Sequence, residues 1–163
     1  MANFFDDSSK ISNNSIIDIS NFGTNTYIGA NSVIDDFVKI KHVAGNKDIF
    51  IGSNVYINSG TVIYSGNGVK IGNDVLIGPN CNIVPANHQI NSKNQLIRLQ
   101  GFSKSKGGIV IEDDVWLGAN VTVLDGSIIR KGAVIGANSI VSKEVNEYSI
   151  NYGVPLKEIG LRK

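Results

Sequence analysis

The chain has 163 residues, of which 42% are hydrophobic and 18% charged, and its formal net charge is +1. This composition is typical of one folded domain and gives no reason to expect nucleic acid or an anionic membrane as a partner. The sequence has no apolar run near the roughly 20 residues of a membrane span. We do not expect its first residues to act as a secretory signal, and its single cysteine suits a reducing cytoplasm.

Residues 1–15 are polar and unpatterned, and we expect them to form an N-terminal arm or cap. A six-residue repeat then begins weakly at Ile16. Its first places are aliphatic or aromatic and its fifth places are mostly small. The first places are Ile16, Phe22, Ile28, Ile34 and Ile40, and the fifth places are Ser20, Thr26, Ser32, Val38 and Ala44.

Two slips interrupt the register of the repeat, one of five residues at 45–50 and one of two residues at 66–68. Extra residues like these are expected at corners, where they need not disturb strand stacking. Cys81 takes a fifth place in the resumed repeat, which predicts a small buried core residue rather than a nucleophile.

The repeat stops after His88 and resumes at Ile109. The excursion, residues 89–108, is polar but contains four large apolar side chains, which suggests that it docks on something. A loop this long inside a compact domain is commonly functional or disordered. The apolar residues are Leu96, Ile97, Leu99 and Phe102.

The clearest repeats run from Ile111 to Val145. The first places are aliphatic: Ile111, Leu117, Val123, Ile129, Ile135 and Val141. The fifth places are small: Val115, Val121, Ser127, Ala133, Ser139 and Val145. Corner-forming residues take the fourth places: Asp114, Asn120, Gly126, Gly132 and Asn138.

In an extended segment the fifth and next first places point to the same side, so each repeat predicts a short strand with a two-residue inward face. Asn, Asp and Gly tolerate the positive φ that a sharp corner needs. Three such strands close a triangular coil, and successive coils stack about 4.8 Å apart. The sequence therefore predicts an all-β parallel β-helix over residues 16–145, followed by a short C-terminal tail, 146–163, in one domain of residues 1–163.

Aliphatic side chains fill such an interior, so chemistry must lie outside it. His88 takes a sixth, outward-pointing place at the root of the excursion, where an imidazole is either a general base or a solvated surface group. His42 lies at a corner and is interpreted as structural or solvated. Trp116 also points outward and covers either a subunit interface or a ligand. Two histidines and a poorly placed cysteine do not predict a metal site.

From Val69 to Ile159 the sequence resembles the hexapeptide-repeat acyltransferases, most closely the sugar O-acetyltransferases of the galactoside and maltose type and of capsule and lipopolysaccharide synthesis. The matching segments are IGNDVLIGPNCNI, ANH, RLQG, KGGIVIEDDVWLGANV, IGANSIVSKEV and YGVPLKEI. The resemblance implies a left-handed parallel β-helix, whereas general chain physics favours right-handed crossovers. It also implies a homotrimer.

The resemblance assigns His88 as the general base and acetyl-CoA as the co-substrate, with no metal. It places Trp116 near the acetyl-CoA channel, and Asn58 and Asn87 on the acceptor side. The other cofactor-binding positions would be the backbones of Ala119 and Ala137 for the pantetheine arm, and Ser142, Lys143 and Lys157 for the nucleotide end.

The resemblance implies direct transfer of an acetyl group to a sugar hydroxyl. N-acetylation of a nucleotide-linked amino sugar on the same scaffold is an open alternative, as is a non-catalytic β-helix scaffold. A γ-type carbonic anhydrase would need three histidines for each metal, and the chain has two. The acceptor sugar and the position acetylated are not predicted.

Overall fold

The computed structural model describes residues 3–43 and 45–163, which form short strands joined by corners and by one long excursion. In chain order the strands are β1 (Asn3–Phe5), β2 (Lys10–Ile11), β3 (Ile16–Ile17), β4 (Thr26–Ile28), β5 (Val33–Ile34), β6 (Lys39–Lys41), β7 (Ile49–Ile51), β8 (Tyr56–Ile57), β9 (Val62–Tyr64), β10 (Val69–Ile71), β11 (Leu76–Ile77), β12 (Asn82–Val84), β13 (Ile109–Ile111), β14 (Trp116–Leu117), β15 (Thr122–Leu124), β16 (Ile128–Ile129), β17 (Val134–Ile135), β18 (Ile140–Val141), β19 (Glu144–Val145), β20 (Ser149–Tyr152) and β21 (Lys157–Leu161).

Every third strand joins the same sheet, which makes a three-sided parallel coil. Sheet A is β1-β4-β7-β10-β13-β16-β19, sheet B is β2-β5-β8-β11-β14-β17-β20-β21, and sheet C is β3-β6-β9-β12-β15-β18. All pairings are parallel except β20 with β21. The chain therefore turns from A to B, from B to C and from C to A once in each coil.

The predicted inward positions form the core. All twelve first and fifth places between Ile111 and Val145 are buried, Ser127 and Ser139 included. The first places stack on one another in register, as Ile71 does on Ile111 and Ile111 on Ile129. Hydrophobic burial along this continuous column is the main stabilising contribution that such a repeat offers.

The corners adopt the backbone conformation that their sequence predicts. Asp114, Asn120 and Asn138 each have φ of +58°, and Gly126 and Gly132 have φ of +86° and +69°. Asn and Asp adopt this left-handed conformation at a lower cost than most residues.

The coil begins earlier than predicted, so residues 3–15 belong to it and are not an arm. β1 and β2 extend sheets A and B, with Phe5 opposite Ile28 and Ile11 opposite Ile34. Ile17, not Ile16, stands opposite Ile40.

The assignments of Ile16 and Phe22 to inward places are therefore wrong, and both side chains are half exposed. A five-residue slip between β3 and β4 shifts the register, and the weak early pattern conceals it. The predicted fifth place at Ala44 lies outside the described residues.

The coil also ends later than the predicted boundary at residue 145. β20 pairs with β17 in parallel, and β21 then turns back on β20. Leu156 is buried against the end of the core. The rings of Tyr148 and Tyr152 lie where a Cβ of Gly132 or Gly136 would be. The tail is therefore an antiparallel cap, which protects the last coil from pairing with another chain.

Every insertion in the repeat falls at the C-to-A corner. Residues 18–25, 42–48, 65–68 and 85–108 each connect a strand of sheet C to the next strand of sheet A. Extra length at one corner leaves the register of all three sheets intact. No helix in the described part of the chain is long and apolar enough to cross a membrane.

Candidate functional site

His88 is exposed and lies at the C-to-A corner after β12, as predicted. It forms an isolated antiparallel bridge with Phe102, near the other end of the excursion. Two backbone hydrogen bonds flank this bridge, from Gln89 N–H to Gly101 C=O at 2.9 Å and from Ser103 N–H to Asn87 C=O at 2.8 Å. The base of the excursion is thus held closed at the candidate general base.

The His88 imidazole stacks on the ring of Phe102, with centroids 4.8 Å apart and planes 25° apart. One face of the imidazole is therefore covered by the excursion. Leu96, Ile97 and Leu99 are more than half exposed, so the expected docking of the excursion's apolar residues is seen only for Phe102 within one chain.

A cavity of about 100 Å³ lies against Asn87, the residue before His88, and Phe102, which stacks on His88; it is lined by Gly45, Asn67, Ala86, Asn87, Phe102 and Ser103. Ligand pockets usually measure roughly 300–1,000 Å³, so this one is too small to enclose a sugar. Asn87, assigned to the acceptor side, lies on its wall with an exposed side chain.

Trp116 lies on the outer face of sheet B and is half exposed. It stands in register with Leu76, and Leu76 with Tyr56, so the three make an exposed apolar row across adjacent coils. Such a row is suited to a subunit interface and to a ligand alike.

Ala119 and Ala137 stack at the B-to-C corner, where Asn138 N–H donates to Ala119 C=O at 2.9 Å. A Cβ at Gly118 would come within 2.6 Å of the Ala137 nitrogen, so the adjacent coils approach closely. Within the described residues the backbone N–H groups of Ala119 and Ala137 donate no hydrogen bond, which leaves two outward donors one coil apart.

Asn58 lies at the same B-to-C corner, two coils before Ala119, and its amide donates to Ile77 C=O at 2.8 Å. Ser142 and Lys143 are exposed at the C-to-A corner of the last coil. Lys157 is exposed on β21 opposite Tyr152. Both lysines are free to meet anionic groups.

The structure brings some predicted site residues together and separates others. His88 and Asn87 share the C-to-A corner, whereas Asn58, Ala119 and Ala137 lie along the B-to-C corner, with sheet C between the two corners. Sequence reasoning did not identify the stacking of Phe102 on His88 or the contribution of Asp125. The signal for Asp125 was a carboxylate directly before the corner residue Gly126, in the coil that follows the excursion.

Asp125 is a buried carboxylate that holds the end of the excursion. It accepts hydrogen bonds from Lys106 N–H at 2.8 Å and Gly108 N–H at 2.9 Å, and from the side-chain amide of Asn67 at 3.0 Å. Buried carboxylates require such partners. The path of the chain from residue 106 to β13 is therefore fixed by the coil.

His42 is buried, and the structural interpretation is confirmed. Its Nδ1 lies 2.7 Å from the Thr24 hydroxyl and its Nε2 lies 3.0 Å from the Thr26 hydroxyl. Burial lowers the pKa of His42, and the nearby carboxylates of Asp18 and Asp48 partly oppose that shift.

Cys81 is also buried, as predicted. Its thiol donates to Gly118 C=O at 3.2 Å, and burial raises the pKa of the thiol, so the reactive thiolate is disfavoured. Across residues 3–43 and 45–163, no three His, Cys, Asp or Glu side chains converge on a point that could hold a metal ion.

Comparison with known families agrees with this architecture. Residues 108–143 match the model of the bacterial transferase hexapeptide (six repeats). The match covers 36 of the 163 residues and shows that this part of the chain consists of hexapeptide repeats. The resemblance seen in the sequence is thereby confirmed.

A chloramphenicol acetyltransferase of Klebsiella aerogenes is 45% identical over 64 residues, 39% of this chain and 30% of that protein. The chain spans about a third of the length of the curated relatives it matches first.

Two solved structures illustrate the fold. A mutant form of AntD, an N-acyltransferase from Bacillus cereus, in complex with dTDP-4-amino-4,6-dideoxyglucose and coenzyme A, aligns with a TM-score of 0.82 and 22% identity over 99% of this chain and 84% of that one. A maltose O-acetyltransferase from Clostridium difficile 630 aligns with a TM-score of 0.58 and 20% identity, over 100% of this chain and 67% of that one. At these identities the likeness establishes the fold alone. The predicted fold class, an all-β left-handed parallel β-helix, is confirmed.

Proposed function

We propose that the protein is an acetyl-CoA-dependent acetyltransferase with His88 as general base and a sugar hydroxyl as acceptor. One observation carries the proposal. An exposed imidazole is held at the root of the excursion in a hexapeptide-repeat coil, with one face against Phe102 and its remaining surface open. A solvated surface histidine would not need the closed base of the excursion around it.

In this reaction the His88 imidazole accepts the proton of the acceptor hydroxyl while the oxygen attacks the thioester carbonyl. The new ester forms, and coenzyme A leaves as a thiolate that is then protonated. An activated thioester needs no acyl-enzyme intermediate, and backbone N–H groups are suitable donors to the developing oxyanion.

The groups assigned to acetyl-CoA fit its chemistry. The N–H groups of Ala119 and Ala137, which donate no hydrogen bond within the described chain, match the amide carbonyls along a pantetheine arm. Lys143 and Lys157 are exposed cations suited to phosphate, with Ser142 beside Lys143. Trp116 offers an exposed ring on the outer face of sheet B, two residues before the corner that holds Ala119. A cytoplasmic site of action suits a reaction that consumes acetyl-CoA.

We further propose that the complete site forms between copies in a homotrimer. The base and the pantetheine positions lie at different corners of one coil, and the cavity against Asn87 and Phe102 is small. A three-fold arrangement would bring the C-to-A corner of one copy against the B-to-C corner of the next. Light scattering should give about three times the 17.5 kDa chain mass; a monomer at micromolar concentration that retains full activity would contradict this.

A second candidate is N-acylation of a nucleotide-linked amino sugar. It is favoured by the likeness to AntD, whose structure contains dTDP-4-amino-4,6-dideoxyglucose and coenzyme A. The O-acetyl candidate is favoured by the sequence resemblance and by the likeness to maltose O-acetyltransferase. Asn58 and Asn87 would contact the acceptor in either case.

The experiment is a paired acceptor screen with acetyl-CoA and detection of the released thiol. Free sugars, nucleotide-sugars and their amino counterparts would be compared, with 3-hydroxybutyryl-CoA as a second donor. Release that depends on hydroxyl acceptors supports the first candidate, and release confined to amino acceptors supports the second. If no acceptor works and acetyl-CoA does not raise the melting temperature, the protein is a scaffold and the proposal fails.

A further inference from the structure

The excursion closes on itself independently of the coil. The Gln100 side-chain amide donates to Ser92 C=O and Gln95 C=O, each at 2.8 Å, and its oxygen accepts from Ser92 N–H at 3.1 Å. The tip of the loop, with the 3₁₀ turn Ile97–Leu99, is thereby shaped by its own hydrogen bonds. The tip makes no contribution to the buried core.

The returning limb is tied to the coil at two places. Near His88, the Ser103 N–H and hydroxyl both donate to Asn87 C=O, at 2.8 and 3.1 Å. Further along, the buried Asp125 carboxylate accepts from Lys106 N–H and Gly108 N–H. Phe102 lies just before these anchored residues, so the coil, rather than the tip, sets its position.

Phe102 has no packing role that explains an aromatic residue there. Its side chain is half exposed, and the ring contact seen within the described chain is with His88. The torsion that turns an imidazole about its Cβ–Cγ bond is broad and weakly restrained on an open surface. A ring stacked on one face removes part of that freedom and leaves the edge nitrogens accessible.

We propose that Phe102 is a positioning residue, which fixes the plane of the His88 imidazole so that one nitrogen is presented to the acceptor. Asp125 supports it by anchoring the limb that carries Phe102. This inference rests on the proposed function, because it assigns His88 as the base. The excursion then has a definite role, since its returning limb holds the base in place.

The first test compares Phe102→Leu, Phe102→Ala and Phe102→Tyr in steady-state kinetics. Small displacements of a reacting group cost up to roughly 100-fold, so we expect kcat to fall about 10- to 100-fold in the Leu and Ala variants. The KM for acetyl-CoA should stay unchanged, and Phe102→Tyr, which keeps the stacking face, should remain within about threefold of wild type. Leu99→Ala is the matched control, because Leu99 is exposed on the same excursion and should leave kcat unchanged.

The second test is independent of activity. The chain has two histidines, so imidazole C–H resonances can be assigned by comparison with His88→Gln. The ring current of Phe102 should displace the His88 resonances, and Phe102→Leu should remove that displacement while the His42 resonances stay in place. Asp125→Asn should speed hydrogen exchange at Lys106 and Gly108 and broaden the His88 signals.

Different results would contradict the assignment of His88 as the base and the positioning role of Phe102. If His88→Ala abolishes turnover but Phe102→Leu leaves kcat and the His88 resonances unchanged, the positioning role is wrong and the base assignment stands. If Phe102→Leu shifts the resonances while His88→Ala retains full turnover, the proposed function is wrong. If Phe102→Leu lowers kcat while KM rises in parallel and Phe102→Tyr does not rescue it, a general effect on the loop replaces positioning.

Discussion

Both histidines follow a strand of sheet C at the C-to-A corner, yet one side chain is buried and the other is exposed. His42 is buried with both ring nitrogens hydrogen-bonded to threonine hydroxyls. His88 is exposed with one ring face against Phe102 and its edges open. The strands that precede the two histidines, β6 and β12, belong to the same sheet and are joined in register through β9. The difference in their environments therefore comes from the insertions that contain them.

The shorter insertion, residues 42–48, begins at His42. The Ser20 and Thr24 hydroxyls are hydrogen-bonded to each other, the Thr24 hydroxyl is hydrogen-bonded to Nδ1 of His42, and the Thr26 hydroxyl to Nε2. The longer insertion, residues 85–108, folds back on itself at its tip and is anchored at its end by the buried Asp125 carboxylate. The same corner therefore holds a buried structural imidazole, His42, in the shorter insertion and an exposed candidate base, His88, in the longer one. Buried polar groups must be fully paired, whereas a base must keep a nitrogen free.

The largest difference between the two histidines is expected in turnover, measured after each imidazole is removed. His88→Ala should lower kcat by roughly 10²- to 10⁴-fold, the range that general base catalysis supplies. His42→Gln should keep kcat within about threefold of wild type at pH 8, because the His42 ring is buried, is hydrogen-bonded to the Thr24 and Thr26 hydroxyls and is assigned no role in the reaction. The measurement is thiol release with the best acceptor of the paired screen.

Binding separates the base from a structural effect at His88. The rise in melting temperature caused by coenzyme A should be the same in wild type and in His88→Ala, since the imidazole is not assigned to the cofactor. Unchanged turnover in His88→Ala, or an equal loss in His42→Gln, would remove the distinction between the two histidines.

A smaller effect is expected on stability, from the hydroxyl that pairs with His42. Thr24→Val keeps the shape of the side chain but leaves the Nδ1 of His42 and the Ser20 hydroxyl without this partner. An unsatisfied buried polar group costs about 1–3 kcal/mol, and urea denaturation should show a loss of that size. Thr122→Val is the matched control, because Thr122 faces outward on β15. Equal losses in the two variants would mean that the hydrogen bond contributes nothing specific.

The regular part of the fold was predictable because aliphatic, small and corner-forming residues recur at fixed places every six residues. Between Ile111 and Val145 every inward place and every corner tested agrees with the structure. The register of the first turn of the β-helix was not predictable, because an insertion before β4 shifts it where the six-residue pattern is weakest. Ile16 was therefore assigned to the inward place that Ile17 occupies. The antiparallel pairing of β20 and β21 within the C-terminal tail was not predicted, because a strand such as β21 does not follow the six-residue period.

The candidate site was predictable in part. His88 was recognisable as an outward residue where the winding stops, and its exposure agrees. The stacking of Phe102 on the His88 ring was not predictable, because a loop separates the two residues in the sequence. Closure of that loop depends on hydrogen bonds that Gln100 and Ser103 donate and that Asp125 accepts. A six-residue pattern describes which way a side chain points, but it contains no information about contacts made across an interruption.

The smallest expected effect, and the one most specific to the buried His42, is on how the free energy of unfolding depends on pH. Burial disfavours the charged imidazole, so the pKa of His42 in the folded chain lies below its ordinary value. The unfolded chain then takes up the proton first as pH falls, so the contribution of His42 is fully present above about pH 6.5 and is lost as pH falls through the lowered folded pKa. Denaturation midpoints measured from pH 8 down to pH 5 should therefore fall more steeply in wild type than in His42→Gln. His88→Gln, which removes the other imidazole, should keep the steep wild-type dependence. Parallel curves for wild type and His42→Gln would mean that His42 is protonated inside the folded coil, with Asp18 and Asp48 outweighing its burial.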